Sequence, residues 1–253
     1  MFIQQVYGAL LPAKNLPEPL HTLQGDLVDQ IILNPHFEIY PPSVTYQRAF
    51  WKYVTQTIEA ADEEVDDRIY QRYISLLKAS TAVPDQYLSS PPTPSYITYF
   101  WPPLASHGEH LALGPRKITL LESRTTIEAG TTGLRTWRAS LMLSEWLTIH
   151  PEIVQHHRVL ELGSGVGFLG IMIAALQRLP HQRSGMSLGG SDASHARIPN
   201  QPAVCLTDVN EDVLQRCRYN IGLPTSMESL HPSLNSIKLS HMKPRQCGRP
   251  SWA

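Results

Sequence analysis

Cysteine is scarce in this chain of 253 residues: Cys205, Cys217 and Cys247 are too few and too far apart for a disulfide framework or a zinc knot. No apolar run approaches the roughly 18 residues that span a bilayer. The N-terminus, Met1-Phe-Ile-Gln-Gln-Val-Tyr7, has no basic region followed by a long apolar stretch. An excess of one charge is lacking too. With a net charge of -1 and a pI near 6.8, there is no electrostatic footprint for nucleic acid and no polybasic membrane patch. His107-Gly-Glu-His110 and His156-His157 match no metal-ligand spacing, so no metal is expected. These absences predict a cytoplasmic monomer with reduced thiols and without a nucleic-acid or membrane partner.

What is present reads as a globular protein: 42% hydrophobic and 17% charged residues, with 21 prolines predicting long irregular connections. The apolar patch Leu27–Leu33 predicts a short helix. Ser43 is a candidate N-cap for a helix from Tyr46 to about Ala60, with Phe50, Tyr53, Val54 and Ile58 at helical spacing. A second helix, from about Glu63 to Ala79, carries Val65, Ile69, Tyr73, Leu76 and Leu77 on one face. The acidic run Asp62–Asp67 reads as its solvated start. Residues 1–80 thus form a small helical N-terminal domain, and the Pro-, Ser- and Thr-rich stretch 81–115 reads as a connector.

A strand is predicted over Lys117–Glu122, with Thr125–Glu128 as its partner across a short turn. After Gly130-Thr-Thr-Gly133 comes an amphipathic helix, roughly Thr136 to His150, carrying Trp137, Leu141, Leu143, Trp146 and Leu147; Trp146 reads as core, and Pro151 ends the helix. The chain is organised around the stretch that follows. Arg158–Leu162 reads as a buried strand, Gly163-Ser-Gly-Val-Gly167 as a glycine turn, and Phe168 to Leu179 as a helix. Glycine tolerates positive φ and close approach of a ligand, and a helix N-terminus offers unpaired N–H groups. Two cofactors fit the letters. Gly165-x-Gly167-x-x-Gly170 matches the dinucleotide fingerprint, whereas Glu161-x-Gly-x-Gly-x-Gly ends its strand on an acid, which disfavours a diphosphate and suits a cationic sulfonium ligand. Residues 180–202 read as a disordered insertion. Ala203–Asp208 is an apolar run ending in an acid, followed by a helix over Asn210–Asn220. Asp208 is the candidate ribose ligand, with a helix N-cap as its bland alternative.

Several of these residues together resemble the eukaryotic protein-lysine methyltransferases that modify elongation factor 2. They are Glu122-Ser123, Gly130-Thr-Thr-Gly-Leu134, Thr136-Trp137, the turn Glu161–Gly167 and Thr207-Asp208, with Tyr40-Pro-Pro-Ser-Val-x-Tyr46 in the domain that precedes them. The resemblance covers residues 1 to about 235. It implies an α/β fold, a Rossmann-like doubly wound sheet of the seven-β-strand methyltransferase type, over residues 116–235. The implied cofactor is S-adenosyl-L-methionine, with Trp137 contacting it, Gly163, Ser164 and Gly165 holding its methionine part, Gly167 among the cofactor-binding residues of the turn, Asp208 at its ribose, and Glu161 ordering the turn or the amino group. The implied reaction is in-line transfer of a methyl group to a lysine amine of a protein, elongation factor 2; no general base is assigned. Residues 236–253 depart from the family. Strand signals are strong only for the first half of the sheet, as in a truncated isoform or a reading frame lost near Asn235, and an incomplete sheet would expose an apolar edge. Two other readings stay open: a catalytically inactive remnant that still binds a translation factor, and a nicotinamide-dependent oxidoreductase.

Overall fold

The computed structural model describes residues 2–81, 92–101, 116–178, 203–223 and 237–241. They belong to two units, Met1–Glu128 with Leu223–Ser226, and Ala129–Gly222 with Met227–Ala253.

The first unit contains α1 (Phe2–Gly8), α2 (Gln24–Leu27) running into a π turn (Val28–Ile32), α3 (Pro35–Ile39), α4 (Val44–Ala60), α5 (Asp67–Thr81) and the strands β1 (Ser95–Trp101) and β2 (Arg116–Glu122). α4 starts where the sequence places it, because the Ser43 hydroxyl accepts the Tyr46 N–H at 3.3 Å. Its inward face, Phe50, Trp51, Val54 and Ile58, is buried in one core with Tyr7, whose ring stands edge-on to Phe37 and Phe50 with centroids 5.0 and 4.9 Å away. Truncating one such aromatic side chain to alanine typically costs about 3–5 kcal/mol. α5 begins later than expected. Gln24 holds the preceding stretch open by donating to Glu64 O at 2.9 Å and accepting Asp66 N–H at 2.7 Å, and Asp66 then caps the helix by accepting Arg68 N–H.

The partner of β2 differs from the expectation. β1 pairs antiparallel with it, from Ser95↔Glu122 to Trp101↔Arg116, and lies inside the stretch read as a connector. Thr125–Glu128 forms no strand; the Ser123 hydroxyl captures Thr125 N–H at 3.1 Å and folds the chain into a local turn instead.

In the second unit, α6 (Arg138–Ile149) and α7 (Glu152–Gln155) precede β3 (Arg158–Leu162), α8 (Phe168–Leu176), β4 (Ala203–Asp208), α9 (Glu211–Ile221) and β5 (Ile237–His241). The strands form a parallel sheet in the order β3-β4-β5. Parallel strands joined through helices make this an α/β unit. β5 lies in the segment read as departing from the family; its alternation of half-buried Ile237 and Leu239 with exposed Lys238 and Ser240 is the period of a strand. β3 is not the buried strand expected. Among the described residues only β4 pairs with it, and Leu160 and Leu162 are 61% and 66% exposed. Trp146 is likewise no core residue: it is 47% exposed and packs on His150 with centroids 4.8 Å apart. Ser144 and Leu147 face inward, and at 3.6 residues per turn Trp146 falls almost opposite Ser144. The insertion expected over 180–202 and most of the connector lie outside the described residues. Among the described residues, no helix is long and apolar enough to cross a membrane.

His36 ties α3 to the hairpin. Its Nε2 lies 2.9 Å from Thr98 Oγ1 and 3.3 Å from Thr119 Oγ1, and Lys117 Nζ lies 3.2 Å from Nδ1. An ammonium can only donate, so Nδ1 accepts and Nε2 carries the ring proton. Burial, reinforced by the Lys117 charge, pulls the imidazole down to about 4, from 6.5. The unfolded chain therefore binds a proton that the folded chain refuses, and the stability is complete above 6.5 and lost as pH falls through about 4. The unfolding midpoint should drop on acidification across this window, and His36→Gln should flatten that slope in thermal scans; an unchanged slope would assign the acid sensitivity elsewhere.

Candidate cofactor-binding site

The glycine turn is built by chain geometry. Gly163, Gly165 and Gly167 have φ of +70°, +56° and +92°, a region that costs a residue with a Cβ roughly 1 kcal/mol or more. The packed side of the turn is tight: a Cβ on Gly167 would stand 2.7 Å from Cys217 Sγ, and one on Gly165 would stand 3.0 Å from Gly133 O. At Gly163 nothing lies within 4 Å of that position, so the space beside the turn opens there.

Ser164 faces the other way. Its amide donates to Thr207 O at 2.8 Å and its hydroxyl accepts Thr207 N–H at 2.8 Å, while Thr207 Oγ1 donates to Glu161 O at 2.8 Å. The Ser164 side chain is 7% exposed and serves the junction of β3 with β4. Asp208 ends β4 beside the turn. Its Oδ1 accepts Asn210 N–H at 3.0 Å, and its Oδ2 lies 3.4 Å from Gly165 N. The N-cap of α9 is Asn210, which accepts Val213 N–H at 3.2 Å.

Glu161 lies under α8. The Gly170 N–H bonds its carboxyl, but Oε2 is buried without a partner, and burial pushes the group up to about 7. The Cys217 thiol beneath the turn is pushed up to about 12 by burial, with the Glu161 and Asp208 charges adding to it. Trp137 stands at the N-cap of α6, 54% exposed, and its Nε1 donates to Thr132 O at 3.1 Å. It thus belongs to the loop whose Gly133 carbonyl packs on Gly165. The structure gathers Glu161, Gly163, Gly165, Gly167, Asp208 and the Trp137 loop around one turn. Sequence reasoning gave Thr207 no task of its own beside Asp208 and passed over Asn220, a buried residue of α9 whose Nδ2 donates to Val166 O at 3.0 Å. The signal was available: Asn220 continues the buried helical face Val213, Leu214, Cys217. Among the described residues no cluster of His, Cys, Asp or Glu could hold a metal ion.

A family model described as a lysine methyltransferase matches residues 117–242, which include the glycine turn, Asp208 and β5. The chain belongs to the lysine methyltransferase family. Relatives agree: the protein-lysine N-methyltransferase EEF2KMT of Bos taurus is 33% identical over 167 residues, covering 64% of this chain and 43% of its own length. EEF2KMT of Homo sapiens is 31% identical over 156 residues, 62% of this chain and 41% of its own. EFM3 of Chaetomium thermophilum, also named a protein-lysine N-methyltransferase, is 34% identical over 154 residues, 59% of this chain and 44% of its own. The chain spans less than half the length of these curated relatives. β5 falls inside the match, so the lysine methyltransferase similarity continues past residue 235, where the sequence reading ended it.

The raised carboxyl of Glu161 has a definite sign. Folding holds a proton on it between 4.5 and about 7, so its contribution to stability is complete below 4.5 and lost as pH rises through about 7. Glu161→Gln removes this penalty; its unfolding midpoint should exceed that of the parent at pH 8 by up to roughly 2–3 kcal/mol of stability, and by little at pH 5. Thermal scans at the two pH values read the difference, and an equal effect at both would contradict the assigned shift.

Proposed function

We propose that the glycine turn binds S-adenosyl-L-methionine and that the chain carries part of a methyltransferase acting on a lysine of a protein, with elongation factor 2 as the substrate. The observation that carries this reading is the open space at Gly163 in a glycine turn that has the Asp208 carboxylate against Gly165. A sulfonium and an ammonium group suit such a rim, whereas a diphosphate would meet negative charge. The same contrast disfavours a nicotinamide dinucleotide. Three parallel strands with helices after β3 and β4 are what the first half of a seven-stranded methyltransferase sheet would contribute.

Each residue then has a task. Asp208 accepts from the ribose hydroxyls, exchanging its long contact with Gly165 N–H for a better donor. The glycines let the methionine part lie against backbone, and Ser164 acts from behind by fixing the turn to β4. The Trp137 indole, held by Thr132 O, offers an electron-rich face to the sulfonium. The cofactor, when bound, supplies an already activated methyl carbon. A lysine amine, with an ordinary pKa near 10.4, must be desolvated to its neutral form and aligned for attack. No base is assigned to that step.

One observation favours a second reading, a binding module that does not catalyse: among the described residues, β3, which carries the turn, has an unpaired and exposed edge. The readings separate experimentally. Excess S-adenosylhomocysteine should raise the unfolding midpoint, through a stabilisation of roughly 2.7 kcal/mol at a hundredfold excess over Kd, and Asp208→Ala should abolish the rise. Labelled methyl transfer to purified elongation factor 2 should follow. A flat thermal response from a cooperatively unfolding chain would sink the cofactor assignment and leave the binding module.

A further inference from the structure

We propose that Asn220 is a positioning residue, which sets the backbone of the glycine turn by holding the Val166 carbonyl inward and so decides which peptide groups face the ligand. The ligand named here rests on the methyltransferase reading above; the geometry does not.

α9 reaches the turn and its neighbouring loop through its buried face. Val213 fills the space beside Gly133, Cys217 Sγ stands against Gly167, and Asn220 Nδ2 donates to Val166 O at 3.0 Å. The first two contacts are packing. Asn220 is different, because a side chain only 1% exposed and lined up with Val213, Leu214 and Cys217 would ordinarily be apolar. Its polar group is explained by its partner. Val166 sits between two residues of positive φ, after the end of β3 and before the start of α8, where neither sheet nor helix serves its carbonyl.

In a trans peptide the carbonyl and the following N–H point in opposite directions. With Val166 O turned toward α9, Gly167 N–H is left to donate to Ser164 O at 3.0 Å, which closes the turn. Were this peptide to rotate, the closing bond would break and a carbonyl dipole would face the open side, against the carboxylate end of an amino-acid ligand. α9 also begins at the Asn210 cap, which is itself bonded to Asp208. One helix therefore connects the acid at the tip of β4 to the peptide at the centre of the turn, so the two halves of the site share a rigid frame.

The test replaces Asn220 with leucine, which keeps the branched shape and removes the donor, and compares it with Leu214→Ala, which destabilises the same buried face of α9. Amide hydrogen exchange on the ligand-free, 15N-labelled chain should quicken at least tenfold at Val166, Gly167 and Phe168 in Asn220→Leu, with the amides of β4 unchanged. S-adenosylhomocysteine affinity should fall tenfold or more. Leu214→Ala should lower the unfolding midpoint without either local change. Exchange and affinity in Asn220→Leu within twofold of the parent would overturn the proposal, as would identical local changes in Leu214→Ala. If Asn220→Leu does not fold, Asn220→Ser, too short to span to Val166 O, is read the same way. A parent chain that does not bind S-adenosylhomocysteine would refute the methyltransferase reading, and the exchange pattern would still decide the role of Asn220.

Discussion

The second unit depends on the way Ser164 and Thr207 close the ladder between β3 and β4. Regular pairing stops at Leu162↔Thr207, and there the chain must leave the sheet without abandoning buried polar groups. Ser164 returns as an extra rung, giving its amide to Thr207 O and taking Thr207 N–H on its hydroxyl, while Thr207 Oγ1 reaches back to Glu161 O. An unmade bond at such a place costs about 1–3 kcal/mol. Glycine at 163 follows from this: the residue that carries the chain out of β3 and back must take a positive φ. Asp208 follows too, since the residue after Thr207 is delivered to Gly165 and to the cap of α9.

Among the described residues, the same sheet leaves one edge bare. Sheet edges are usually blunted by charge, by proline or by a covering element. β3 has Arg158 at its beginning, but its one acid, Glu161, is turned under α8, and Leu160 and Leu162 are exposed. Met142 and Ile149 of α6 are 61% and 69% exposed as well. Apolar surface of this kind is where a further element of structure or a partner would pack.

Much of this architecture was legible because local signals agreed with it. Ser43 capped α4, Pro151 followed the end of α6, and apolar runs ending in acids marked β3 and β4. Where reading failed, a long-range partner had decided. β2 was assigned the nearest candidate, but Ser123 bends the chain away and Ser95–Trp101, hidden among proline, serine and threonine, supplies the pairing. Ile-Lys-Leu-Ser-His alternates as a strand should, yet five residues in a polar tail gave little reason to see β5. For the candidate site, residue types in the turn located it, while direction did not follow from type: nothing local in Ser164 shows that its hydroxyl faces β4, or in Asn220 that its amide meets Val166.

Direction was nonetheless recoverable for the two acids, through register. Glu161 lies opposite Leu206, and Asp208 comes two residues after Leu206. With a side-chain period of two, all three share the face on which α8 packs, where Oε2 of Glu161 approaches Gly170 and Asp208 approaches the turn. A slip of one residue between β3 and β4 would send one acid through the sheet and separate the pair. The apolar contacts on that face would tolerate other arrangements, since several of its side chains are interchangeable in size. The Ser164–Thr207 bonds would not, because they join named atoms. The bonds that end the strand ladder are therefore also what brings Glu161 under α8 and Asp208 to Gly165 on one face of the sheet.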